Sequence, residues 1–329
     1  MSSLLRGRSF ITMQEFSKTE LDLMLDLSCD LKRRFAVGEL TPWLNLKTLF
    51  MIFFDESTRT RNSVEAGMTQ LGGHAHFLNP KVMQTAHGEV ARDTAKILSR
   101  YGHGIAVRHC AYGIGNAYLR ALEKYSDTPI LNLQDDYYHP MQVLADIMTI
   151  REVFGSNTRG LKVGISWAYA ESHLKPLSVP QSQVLLFPRY GLDVTLSYPE
   201  GFDLMPEMVE TAKKNAEKSG TKFEISHNME DAFKDADIVI PKSWGGFFVS
   251  EDQNEIMNET KKHKDWICTP EKMKLANKNA IYMHALPADR GKEVVDEVID
   301  GEQSVVIDEA ENRLHTAKAV MALTMGGRP

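Results

Sequence analysis

A chain of 329 residues with 43% hydrophobic and 25% charged residues has the make-up of a soluble globular protein, long enough for two domains. A formal net charge of −6 without a basic stripe excludes nucleic acid as an expected partner, and no apolar run is long enough to cross a bilayer. Three scattered cysteines (Cys29, Cys110, Cys268) exclude a disulfide scaffold; with an opening MSSLLRGRSF that reads as no secretory signal, they predict a cytoplasmic protein.

Along the chain, short apolar β-branched runs alternate with helical patterns. Ser17 and Glu20 have the spacing of a capping box and predict the first helix start. Strands are then predicted at 48–54, 74–78, 104–107 and 130–133, with helices at 60–71, 89–101, 115–125 and 140–154. The polar, turn-rich 155–160 (GSNTRG) is the expected boundary between domains. A second series follows, with strands at 162–168, 193–197, 222–225, 238–240, 281–284 and 304–307 and helices at 180–190, 206–219 and 309–325. This alternation predicts an α/β protein of two domains, each a parallel sheet flanked by helices. Residues 1–154, joined by the last helix at about 309–329, form the first domain, and 155–308 the second. Two stretches read as long loops: 171–183, with His173, Lys175 and Ser178 around two prolines, and 243–266, which begins Trp244, Gly245, Gly246.

The strand ending at Phe54 runs into Asp55, Glu56, Ser57, Thr58, Arg59, Thr60, Arg61, where a helix begins. A helix start offers unpaired N–H groups and the positive end of the dipole. Three hydroxyls and a forked guanidinium at that point suit an oxyanion, although a capped helix with solvated arginines has the same sequence. His139 before Pro140 marks another helix start, where the histidine either caps the helix or faces a ligand. His74 and His76 share one strand face, but no carboxylate or cysteine pair nearby completes a metal site, and none is expected. The strand at 162–168 lacks the glycines of a dinucleotide turn, so no cofactor is expected either.

SerThrArgThrArg after a strand, followed by Gln70 to Gly73, resembles the carbamoyl phosphate loop of the aspartate/ornithine carbamoyltransferase superfamily. His139, Pro140, Met141, Gln142 with Leu144 and Asp146, the run His284, Ala285, Leu286, Pro287, and DEAENRLH ending at His315 resemble three further segments of that family, in order. The resemblance implies a transferase that moves the carbamoyl group of carbamoyl phosphate to a small amine. It implies that Ser57, Thr58, Arg59 and Thr60 hold the phosphate with Arg313, and that His139 and Arg108 polarise the carbonyl. Gln142 and the main chain of Leu286 and Pro287 would bind the carbamoyl NH2. The loop with Gln84, His87 and Glu89 would enter a neighbouring subunit's site, in a homotrimer or a multiple of one.

The acceptor end is less uniform. Lys242, Ser243, Trp244 and the run Lys175 to Ser178 resemble the branch that includes N-acetylornithine carbamoyltransferase and a YgeW-like group, which knots a proline-containing loop; 175–183 is the candidate segment for threading here. LeuProAlaAspArgGly and the acidic run after it resemble putrescine carbamoyltransferase instead. Lys242 suits a substrate carboxylate and Asp289 an ammonium, so Lys242, Trp244 and Asp289 are the candidate acceptor residues for an amino acid or diamine. Alternatively, Asp289 pairs with Arg290 or Lys242 and touches no substrate. Asp135 and Asp136 add negative charge ahead of His139. Ornithine or putrescine transfer proper, and a non-catalytic carbamoyl phosphate-binding protein, are the competing readings.

Overall fold

The computed structural model describes residues 5–172 and 175–326; His173 lies outside them. The chain divides into two compact units, Met1–Met148 with Glu311–Pro329, and Thr149–Ala310.

In the first unit α1 (Lys18–Ala36) starts at the Ser17–Glu20 capping box, each side chain bonding the other's backbone N–H. Then come β1 (Thr48–Phe53), α2 (Arg59–Gln70), β2 (His74–Leu78), α3 (Ala91–Tyr101), β3 (Gly104–His109), α4 (Gly115–Tyr125), β4 (Ile130–Asp135) and α5 (Pro140–Phe154), whose residues from Thr149 on belong to the second unit. The four strands form a parallel sheet in the order β2-β1-β3-β4. β4 is buried at every position and β1 at all but its first, as expected for a parallel sheet covered on both faces. Ile52, Ile105, Val107, Leu119, Leu122 and Ile130 meet in its core.

The second unit contains β5 (Lys162–Trp167), α6 (Ser178–Leu186), β6 (Asp193–Ser197), α7 (Pro206–Ser219), β7 (Phe223–Ser226), α8 (Met229–Phe233), β8 (Ile238–Lys242), α9 (Gln253–Thr260), α10 (Pro270–Met273), β9 (Ile281–Tyr282) and α11 (Asp296–Ile299). Its five strands are parallel in the order β7-β6-β5-β8-β9. Gly164 on β5 has the Ala232 carbonyl oxygen 1.6 Å from where a Cβ would sit, so only glycine lets α8 lie this close. The final helix, α12 (Val306–Thr324), begins in the second unit and ends in the first. A Cβ at Gly67 of α2 would sit 3.1 Å from the Lys318 side chain, which brings the two helices close in the first unit.

The predicted strand at 304–307 does not form. Ser304 makes one isolated bridge to Tyr282, and Val306 already begins α12. The acidic residues Asp308 and Glu309 occupy the first turn of that helix, where its dipole favours them, and outweigh the β-branched run before it. The predicted strand at 281–284 shortens to two residues because His284 departs to donate its backbone N–H to Glu309 Oε2 at 2.8 Å. The long loop 243–266 contains α9, capped by Asp252.

Candidate active site

The loop between β1 and α2 ends in a side-chain cap: Ser57 Oγ accepts the Thr60 N–H at 3.2 Å. Arg59 is half-buried, and among the described residues its guanidinium makes no ion pair with a carboxylate. Burial, and then the neighbouring Arg108 charge, lower its pKa from the ordinary value. Arg108 stands near the end of β3, where the pairing with β4 slips so that Val107 opposes Asn132 and Arg108 opposes Gln134. That bulge turns Arg108 onto the Gln134 side-chain oxygen, to which it donates. Arg59 and Arg108, neither of which pairs with a carboxylate among the described residues, bring two positive charges to a helix start.

Arg313 on α12 is only 4% exposed, not the solvated arginine a terminal helix usually carries. It donates to Gln142 Oε1 and, at 2.8 Å, to Thr60 Oγ1. Gln142 in turn donates to the buried Asp146 at 2.8 Å, one turn along α5. His139 is 2% exposed, and its carbonyl accepts the Gln142 and Val143 N–H groups. Its main chain thus starts α5. Ser57, Arg59, Thr60, Arg108, His139, Gln142 and Arg313 are all borne by the first unit. Thr58 is exposed at the head of α2.

Other charges are spent locally. Arg61 pairs with Glu65 at 3.5 Å and lies 3.7 Å over the Phe77 ring. Asp136 accepts the Gly113 and Asn116 N–H groups and caps α4. Asp135 accepts from Asn116, Asn132 and the Tyr137 backbone, and burial pushes its carboxyl up to about 7 despite these bonds. The two aspartates therefore build the turn before His139 instead of lending it free negative charge. Gln84 and His87 sit exposed on a short helical turn, Gln84–His87, after β2. Among the described residues no group of three or more metal-ligating side chains converges, and no helix is long and apolar enough to cross a membrane.

In the second unit Asp289 pairs with neither Arg290 nor Lys242: its partner is Lys175, at 2.9 Å. Arg290 bonds Asp296 and Asp300 instead. Lys242, at the end of β8, is 8% exposed. Trp244 is 1% exposed and its indole N–H donates to the Phe202 carbonyl at 2.8 Å, so its ring is core. Leu286 adopts φ 50° and is followed by a cis peptide to Pro287. The residue that sequence reading passed over is Glu293, wholly buried and bonded to the Ser243 and Asp289 N–H groups at 2.7 and 2.6 Å. Its only sequence signal was an acid amid buried neighbours a few residues past HisAlaLeuPro.

A positive, hydroxyl-lined helix start flanked by a buried histidine and amide, on a two-unit α/β frame, defines a group-transfer enzyme acting on a phosphorylated donor. Residues 8–152 match the aspartate/ornithine carbamoyltransferase carbamoyl-P binding domain, and residues 175–324 the Asp/Orn binding domain of the same proteins. The chain belongs to the aspartate/ornithine carbamoyltransferase family, and it is an enzyme that transfers the carbamoyl group of carbamoyl phosphate. It is 40% identical over 320 residues to YgeW of Escherichia coli K12, a carbamoyltransferase by name, covering 88% of this chain and 81% of that protein. It is 39% identical to an ornithine carbamoyltransferase of Caldicellulosiruptor saccharolyticus, covering 98% and 99% of the two chains. Among solved structures, ornithine carbamoyltransferase from Pyrococcus furiosus superposes with a TM-score of 0.89 at 37% identity, covering 99% of each chain. An acetylornithine transcarbamylase complexed with acetylcitrulline follows at 0.88 and 32%, covering 96% of this chain and 98% of that one.

Proposed function

We infer that the enzyme carbamoylates the primary amine of a small amino acid or diamine, giving a ureido product and phosphate. The observation that carries the donor half is the Arg59–Arg108 pair, two like charges near one helix start that pair with no carboxylate among the described residues. Ser57, Thr58, Arg59 and Thr60 bind the phosphate with the second guanidinium; Arg313 orients Gln142 and Thr60 from behind. His139 and Arg108 donate to the carbonyl oxygen, and Gln142 and the Leu286 carbonyl accept from the carbamoyl NH2. The amine nitrogen forms the new C–N bond, and the C–O bond to phosphate breaks with its electron pair leaving on phosphate. The proton shed by the amine balances on that phosphate. Positioning and electrostatics supply most of the acceleration for so good a leaving group.

On the acceptor side, Lys175 neutralises Asp289, so an incoming ammonium competes with Lys175 and an incoming carboxylate takes the lysine released. A zwitterionic amine meets both needs, with Lys242 as the further cation. Trp244 supports this pocket from the core instead of lining it. Gln84 and His87, exposed on their loop, serve a neighbouring copy in a trimer, and the mass in light scattering tests that assignment. We place the end of the donor domain near 154, a little past the Met148–Thr149 division of the compact units, with the C-terminal helix returning to the first. The decisive experiment is ureido formation from carbamoyl phosphate with ornithine, N-acetylornithine, putrescine, 2,3-diaminopropionate and lysine. One amine standing well above the rest supports the reading; no ureido product from any of them sinks it.

A further inference from the structure

The reaction as drawn leaves unused the most heavily engaged carboxylate of the second unit. Glu293 is fully buried, with Oε1 on the Ser243 N–H at 2.7 Å and Oε2 on the Asp289 N–H at 2.6 Å. The His284 Nε2 faces Oε1 at 3.3 Å, and Lys175 Nζ stands 3.8 Å from Oε2. His284 Nδ1 accepts the Leu286 N–H at 2.9 Å, which places the remaining ring proton on Nε2, toward Glu293. Main-chain bonds hold the residue in place: its carbonyl accepts the Cys268 N–H and its own N–H donates to the Asp289 carbonyl.

One carboxylate thus ties three segments distant in sequence. The first is the end of β8 with Lys242 and Ser243, the second the 284–289 turn with Leu286 and Asp289, and the third the chain at Lys175. Each bears a group assigned above to the acceptor or the carbamoyl NH2, or pairs with one. Burial by itself disfavours the ionised carboxyl, but the His284, Lys242 and Lys175 groups around it hold it below the usual carboxylate range. A buried charge is a poor device for stability alone, because an apolar side chain of equal volume packs as well. Its return is geometric: two backbone N–H groups, the His284 ring and Lys175 gather around one anion.

We propose that Glu293 is a positioning residue for the amine acceptor, holding the Leu286–Asp289 turn against the end of β8 without touching the donor. The assignment rests on the carbamoyltransferase reading given above. The test is steady-state kinetics of wild type, Glu293→Gln and Glu293→Asp with carbamoyl phosphate and the best of the five amines. Melting curves run with and without carbamoyl phosphate accompany it. Glu293→Gln sets an NH2 against a backbone N–H, so kcat/KM for the amine should fall roughly 10- to 100-fold. The KM for carbamoyl phosphate should move less than kcat/KM for the amine, within about tenfold, because Leu286 on that turn meets only the carbamoyl NH2 while the residues assigned to the phosphate lie in the first unit; the melting shift given by carbamoyl phosphate should follow that KM. Glu293→Asp keeps the charge and should recover part of the loss. If Glu293→Gln does not fold, the same split is read from Glu293→Asp against wild type. Equal losses for both substrates, or none for either, overturn the assignment while leaving the enzyme a carbamoyltransferase. A wild type that carbamoylates none of the five overturns the underlying reading and this assignment with it.

Discussion

Replacing Arg59 by Met separates the two things an arginine at this position could be doing. A structural arginine has partners, whereas this one has no carboxylate among the described residues and sits beside Arg108 with its pKa lowered by burial and by that charge. Methionine fills similar space without the charge. The unliganded protein should therefore melt where wild type does or slightly higher, a change within about 0.5 kcal/mol. Binding is different. A guanidinium fork on a phosphate makes two charge-assisted hydrogen bonds of about 1.5–3 kcal/mol each, so their loss should weaken carbamoyl phosphate binding by roughly 10²- to 10⁴-fold. Arg59→Lys keeps the charge and loses the fork, and should fall between. Calorimetric titration with carbamoyl phosphate gives the affinity, and a thermal melt of the free protein gives the stability. A large drop in melting temperature with affinity intact would refute the reasoning, because Arg59 would then be holding the protein and not the phosphate.

His139→Ala should lower kcat by about 10²- to 10³-fold while sparing carbamoyl phosphate affinity, since the main chain of His139 and not its ring starts α5; unchanged turnover removes the imidazole from the carbonyl. Trp244→Phe gives up the bond to the Phe202 carbonyl and should cost about 1–3 kcal/mol in a denaturant titration with the amine KM unmoved. A shift in KM at constant stability returns Trp244 to the acceptor pocket. Lys175→Met strips Asp289 of its partner and should turn acceptor preference toward diamines in the ureido assay, and a flat preference shows that the pair faces away from substrate. Asp135 has a folded pKa raised to about 7 by burial, so it is neutral in both states at low pH. As pH climbs from about 4 to about 7 the unfolded chain ionises first, and the stability this group contributes is lost. Denaturation of wild type and Asp135→Asn at about pH 5 and about pH 8 should show wild type losing ground to the variant at the higher pH. A constant gap means the carboxyl is already ionised at pH 5.

The helix start proposed to hold the phosphate was legible as local structure because its parts are consecutive. Ser57 to Arg61 are consecutive at a strand-to-helix turn, and Ser57 does cap the helix start. His139 before Pro140 was legible for the same reason. Arg313 could be named only by resemblance, because its burial comes from Thr60 and Gln142, which are brought to it by two other helices. That Asp136 caps α4 was not legible, since a cap from a turn twenty residues later leaves no local mark. The error at 304–307 was one of competing local signals, in which first-turn acids and the Glu309–His284 bond outweighed β-branching. Glu293 was invisible for a deeper reason: its partners Lys175, Ser243, His284 and Asp289 come from three separate stretches.

The two halves of the chemistry differ in how their charges are balanced. In the first unit Arg59 and Arg108 carry like charges and, among the described residues, pair with no carboxylate, so the proposed phosphate would gain from both at once. In the second unit the charges proposed to face the acceptor already have opposites: Lys175 has Asp289, and Glu293 has Lys175 and N–H donors. A ligand there gains only by exchanging partners, and exchange rewards a molecule whose own charges match the pair it opens. Affinity is therefore expected to reside with the donor and selectivity with the acceptor. On the proposed reading, the donor end rests on one short consecutive motif, whereas the choice of amine would rest on the Lys175–Asp289–Glu293 arrangement, which no single stretch of sequence contains.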